Sequence, residues 1–242
     1  MSEKQSYWQI AAWNLDKVVK RLQEGNSFSE LVKLTPNYAV YWFYLGDIDY
    51  ARKASLIYSL NEYENEFNED KMPDFKIYVL FHAALFRDLA LHHEEATQIW
   101  QQLIDLRRSS FTEADIYQKR LGWRIGCAWV HEAYALTKLG RYAEVAEPAR
   151  IGHEAIRRGK GTDPTPYMNS REFGLSKLLI ETAKYRLSPD DRQKKIAQKT
   201  LQAYKENNSK HHRLGYGVIF DLQFTYPDVF TPVLPGSNPE MD

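Results

Sequence analysis

The chain has 242 residues, 43% of them hydrophobic, enough apolar side chain for one large or two small domains with a real core. Its 32 basic and 32 acidic side chains cancel, so net charge gives no argument for a nucleic-acid or membrane partner. A single cysteine, Cys127, excludes an internal disulfide and a cysteine-based zinc site, and no stretch approaches the ~20 apolar residues that span a bilayer.

Helical periodicity dominates from the start. Trp8, Ala11, Ala12, Leu15, Val18, Val19 and Leu22 recur at helical spacing, and Gly25 offers a stop. The same segment is charged and has no unbroken apolar run, so it does not read as a secretory signal, and a cytoplasmic protein is expected. Ser27 with Glu30 forms a capping-box start, and Pro36 opens a second helical stretch that reaches about Phe67. Residues 61–70, NEYENEFNED, then hold Glu62, Glu64, Glu66, Glu69 and Asp70 with no basic residue.

Pro73 and Asp74 mark a boundary. Helices are predicted from about Phe75 to Leu91 and from Glu94 to Arg107, with His92 and His93 at the turn. Thr112, with Asp115 three residues on, starts a helix expected to run to Leu139, and Gly140 is placed to cap it. Tyr142 to Arg158 is its partner, in which Pro148 predicts a kink. Gly159 to Ser170 reads as a long loop. A third pair is predicted from Arg171 to Asn207, with Ser188-Pro189-Asp190-Asp191 opening its second helix and Ser188 as the N-cap. After Asn208 the chain turns Gly-, Pro- and aromatic-rich: a last short helix around Gly217 to Phe224, then an extended strap that Pro232, Pro235 and Pro239 keep from being helical.

The turns near residues 92, 140 and 188 recur at a period of roughly 48, in the range that points to stacked repeats. Leu139-Gly140-Arg141-Tyr142-Ala143-Glu144, with Ala133 before it and Ala149 after it, resembles the tetratricopeptide repeat, in which a Leu-Gly-x-Tyr turn joins two helices that cross at small residues. Leu91-His92-His93-Glu94-Glu95-Ala96 is a degenerate copy without the Gly, and the third pair keeps less of the pattern. The likeness covers about half the chain, and its period is longer than the family's, which is about 34 residues. It implies a concave groove that binds peptides or protein surfaces without catalysis. In size, class and texture the chain also resembles small cytosolic helical-repeat immunity proteins of bacteria, which implies a toxin domain as partner.

Candidate chemistry is sparse. The seven histidines form no HExxH and no Glu-x-x-His pair. Cys127 has His131 four residues on, but both lie in an apolar helical stretch that favours an inert thiol. Arg87-Asp88-Leu89-Ala90-Leu91-His92 resembles the Arg-polar-x-x-x-His motif of the HEPN ribonucleases. That likeness implies Arg87 stabilising phosphate charge and His92 handling a proton.

The sequence thus predicts an all-α chain: an irregular right-handed array of antiparallel helical hairpins of tetratricopeptide-like kind. It is expected to form one domain over residues 1–242, with N-terminal helices in 1–72, hairpin repeats in 73–207, and a C-terminal helix and strap in 208–242. The expected function is a non-enzymatic protein-binding module. Glu62, Glu64, Glu66, Glu69 and Asp70 are its partner-binding residues, because an acidic run selects a basic surface such as a nuclease toxin's cleft. No cofactor, metal or membrane is expected. The alternatives are a HEPN-like ribonuclease or RNA-binding protein using Arg87 and His92, and a scaffold within a larger complex.

Overall fold

Capping residues set the start of two helices and the end of a third in the computed structural model, which describes residues 73–89, 92–118, 122–159, 166–209 and 215–230. The helices expected in 1–72, the acidic run and the strap from 231 onward lie outside the described residues. Among the described residues the chain is all-α, with eight α-helices and no strand. They are α1 (Pro73–Leu89), α2 (His93–Ser110), α3 (Glu113–Gln118), α4 (Gly122–Lys138), α5 (Ala146–Gly159), α6 (Pro166–Leu187), α7 (Asp191–Ser209) and α8 (Gly215–Thr225). None of these helices is long and apolar enough to cross a membrane.

The start of α3 is the reciprocal half of a capping box. Asp115 Oδ2 accepts from the Thr112 backbone N–H at 2.8 Å and from its hydroxyl at 2.9 Å. The end of α4 is a Schellman motif. Gly140 has φ +71°, its N–H donates to Thr137 O at 3.2 Å, and the Arg141 N–H donates to Leu136 O at 2.9 Å. A short 3-10 turn, Tyr142–Glu144, then leads into α5.

Four expectations are corrected. The helix expected from Thr112 to Leu139 is two helices, α3 and α4. Glycine at 122 is a weak helix former, and the Ile116 backbone lies against it with no room for a Cβ. Pro148 does not kink its helix, because it falls at the third residue of α5, where its missing N–H has no intrahelical partner to lose. Ser188 does not cap α7. Its N–H closes the end of α6 on Lys184 O at 3.0 Å, and Asp190 is the cap, its Oδ1 accepting from the Gln193 N–H at 2.7 Å. The loop expected over 159–170 is overturned at its ends, since Gly159 closes α5 and α6 begins at Pro166, a residue whose fixed φ suits a first helical position.

Consecutive helices pack on one another: α1 on α2, α4 on α5, α6 on α7. α4 also touches α1, α2 and α6, and so lies at the centre. Its contact with α5 is a meeting of glycines. A Cβ on Gly126 would lie 2.7 Å from Ala155 Cβ and 3.1 Å from Gly152 O, and one on Gly152 would lie 2.6 Å from Gly126 O. α8 returns to pack against α1 and α7. Buried side chains from all eight helices join one apolar cluster in which Phe81, Trp100, Tyr134, Tyr204, Tyr226 and Phe230 are among the largest.

Candidate functional site

The turn between α1 and α2 gathers the residues that the sequence singled out. Arg87 lies in the last turn of α1 and is nearly buried. Its Nε donates to Glu95 Oε2 at 3.1 Å, and its Nη1 reaches Ala83 O at 3.4 Å. His92 precedes α2, and its Nδ1 stands 3.3 Å from the other oxygen of Glu95. The structure thus brings Arg87 and His92 together on one carboxylate. Those hydrogen bonds, from Arg87 and then from His92, hold the Glu95 carboxyl below the usual range. His93 points to a different acid: its Nδ1 is 3.0 Å from Asp88 Oδ1.

Beneath the turn, Asp88 belongs to a polar cluster that no sequence motif announced. Asp88 Oδ2 accepts from Trp100 Nε1 at 2.7 Å and lies 3.3 Å from Lys138 Nζ. Lys138 Nζ donates to Asp221 Oδ1 at 2.7 Å and to Thr225 Oγ1 at 2.6 Å. The Tyr134 hydroxyl donates to the other oxygen of Asp221, and Tyr226 OH donates to Thr137 O at 2.7 Å. α1, α2, α4 and α8 each contribute a buried group. The one visible signal was Asp221 itself, a lone carboxylate in the apolar run Val218-Ile219-Phe220-Asp221-Leu222.

No protein-family model matches the chain, and no curated protein or solved structure matches it at a significant level.

Two carboxylates share one ammonium in this cluster, and burial disfavours every charge in it. Burial pushes the Asp221 carboxyl above its ordinary value; Lys138 opposes this and Asp88 reinforces it. For Lys138, burial works against the charged form, yet Asp221 and Asp88 outweigh it and hold the ammonium above its ordinary value. The Tyr134 phenol is driven well above its usual value by burial and then by the Asp221 charge, so it is a permanent donor. The charges are spent on one another. The cluster's action is to fasten α8 to α4 and α1.

A second buried charge set lies between α2 and α4. Arg107 stacks over the Trp129 ring at 3.5 Å and pairs with Glu132, whose other oxygen takes Arg108 Nε at 2.6 Å. Arg108 continues to Glu144 at 3.1 Å, and Glu144 is gripped by Arg141 through two bonds of 2.7 Å. Deeper in, His131 Nε2 stands 3.5 Å from Glu172 Oε1 under the stacked Phe81 ring. Cys127, on the same helix as His131, is buried and forms no disulfide. Among the described residues no group of three or more His, Cys, Asp or Glu side chains could hold a metal ion. The acidic run, Glu62 to Asp70, lies outside the described residues.

Proposed function

We propose that this chain is a non-catalytic helical scaffold of tetratricopeptide-like kind that binds another protein, with the acidic run Glu62, Glu64, Glu66, Glu69 and Asp70 meeting a basic partner surface. A toxin domain, such as a nuclease, is the partner class that fits, and neutralising it is the role that follows. The observation that carries the reading is the engagement of Arg87. Its guanidinium is committed to Glu95 and to Ala83 O beneath a packed turn, so an incoming phosphate would have to displace a charge-assisted bond to reach it. The packing of consecutive helices supports the scaffold part.

Affinity purification from the source cell with the wild-type chain should recover a basic protein. A variant with Glu62→Lys, Glu64→Lys, Glu66→Lys and Glu69→Lys should lose it. Equal recovery by the two chains would remove the acidic run from the reading.

One observation favours a second reading, that of a ribonuclease: Arg87 and His92 converge on Glu95. On that reading the purified chain degrades RNA, and Arg87→Ala or His92→Ala abolishes the cleavage while the helical circular dichroism stays intact. Intact RNA after incubation with the wild-type chain would end it.

A further inference from the structure

Cations in most of the described structure are neutralised at home. Glu95 holds Arg87, Asp74 holds Arg124, Asp221 holds Lys138, Glu144 holds Arg141, Glu154 holds Arg157 and Asp228 holds Arg186. α7 is different. Arg192, Lys195 and Lys199 recur at i, i+3 and i+7 and are exposed along one face, with half-buried Lys194 beside them. Among the described residues none of these four has an ion-pair partner. The carboxylates of this helix stand at its ends: Asp191 in the first turn and Glu206, which accepts from Gln202 at 3.1 Å.

The same face is partly apolar. Ile196 is 37% exposed on it, and Leu187, at the end of α6, is 59% exposed. The opposite face of α7, Ala197, Leu201 and Tyr204, is buried in the core. A helix rises ~1.5 Å per residue, so the three cations line a strip about 10 Å long. Tyr204, the only aromatic residue of α7, is buried, so the strip has no ring on which a nucleic-acid base could stack.

The complementary charge is present in the chain itself. Residues 61–70 hold five carboxylates and no cation. Glu62, Glu66 and Glu69 are spaced i, i+4, i+7, the reverse of Arg192, Lys195 and Lys199. Tyr63 and Phe67 lie among them in sequence, apolar side chains of the kind that would cover the exposed Ile196 and Leu187. We propose that the α7 face docks the acidic run of a second copy of this chain, so that the protein associates with itself through opposed charge and occupies its own acidic run until a basic partner displaces it.

The proposal rests on the protein-binding reading for the role of the acidic run, but its test needs no partner. Sedimentation velocity of the purified full chain should show concentration-dependent self-association at low salt that dissociates at high salt, where screening shortens the reach of exposed charges. Lys195→Glu with Lys199→Glu should weaken it about tenfold or more, and so should Glu66→Lys with Glu69→Lys. Mixing the two variants should restore a complex, because one retains an acidic run and the other a basic face. Carbodiimide coupling of isotopically mixed chains should join Lys195 or Lys199 to residues 62–70 between chains. A monomer at every concentration in low salt overturns the proposal, as does coupling confined within one chain, or self-association that neither variant weakens. Those results would leave capture of a different protein intact. Failure of that capture would equally leave self-association measurable.

Discussion

Lys138 and Asp221 meet at 2.7 Å across 83 residues of sequence, and both side chains are almost sealed from water. Removing an ion from water costs several kcal/mol even after the protein relaxes, so such a pair persists only where partners satisfy it from several sides. Asp88, Tyr134 and Thr225 supply those partners here. These bonds hold α8 against α4 with Asp221 beside Lys138.

Lys138→Met should therefore be among the most harmful substitutions in the chain. It leaves Asp221 buried with no counter-charge, and Asp88 with only the exposed His93 beside it, a situation that costs about 3–5 kcal/mol. Adding Asp221→Leu should recover part of that loss, because the second change removes one of the stranded charges. Urea denaturation followed by circular dichroism measures both. A single-variant loss under about 0.5 kcal/mol would mean that the cluster is not closed in solution.

The charge relay from Arg107 to Arg141 should divide sharply by depth. Glu132 is buried, so Glu132→Ala leaves the Arg107 guanidinium uncompensated and should cost about 3–5 kcal/mol. Glu144 is 43% exposed, and Glu144→Ala should cost under about 1 kcal/mol. Equal losses for the two variants, in the same denaturation experiment, would contradict the burial difference.

Local signals carried much of the helical architecture. Gly140 announced the end of α4, because only a left-handed residue closes that turn without strain, and Thr112 with Asp115 announced α3. Helical periodicity fixed the class. Competing caps were less legible: Ser188 and Asp190 both suit an N-cap, and which one serves depends on where α6 stops. Of the candidate site, the Arg87–His92 pair was legible because the two stand close in sequence on either side of one interhelical turn. Lys138 was not. At the end of an amphipathic helix it reads as a solvated cation, and its nearest carboxylate, Asp221, comes from α8, 83 residues later.

Gly126 within α4 and Gly140 just beyond its end make different demands, which alanine substitution separates. In an exposed helix interior, Gly→Ala gains roughly 1 kcal/mol. At Gly126 the new Cβ would sit 2.7 Å from Ala155 Cβ, so Gly126→Ala should instead destabilise by about 1–3 kcal/mol as α5 is pushed away. At Gly140 there is open space but φ is +71°, and Gly140→Ala should cost about 1–2 kcal/mol through backbone strain alone. A methyl-region NMR spectrum distinguishes the causes. Gly126→Ala should shift Val130 and Ile156, which line the crossing, whereas Gly140→Ala should leave them in place.

Glu144 sets the acid limit of the surface network. Hydrogen bonds from Arg141 and then Arg108 hold its carboxyl down at about 2, against an ordinary value of 4.5. A carboxyl lowered on folding stabilises the native state above its unfolded value, and that contribution disappears as pH falls through the folded one. The window for Glu144 is therefore the interval from 4.5 down to about 2. Its half-exposed position keeps the contribution small, so the titration is a better readout than the melt. A carbon-detected NMR titration should place the Glu144 midpoint near 2 in the wild type. Arg141→Gln removes the two-point grip and should move the midpoint most of the way toward 4.5, while Arg108→Gln should move it less. A wild-type midpoint already near 4.5 would show that the Arg141 fork is not held in solution.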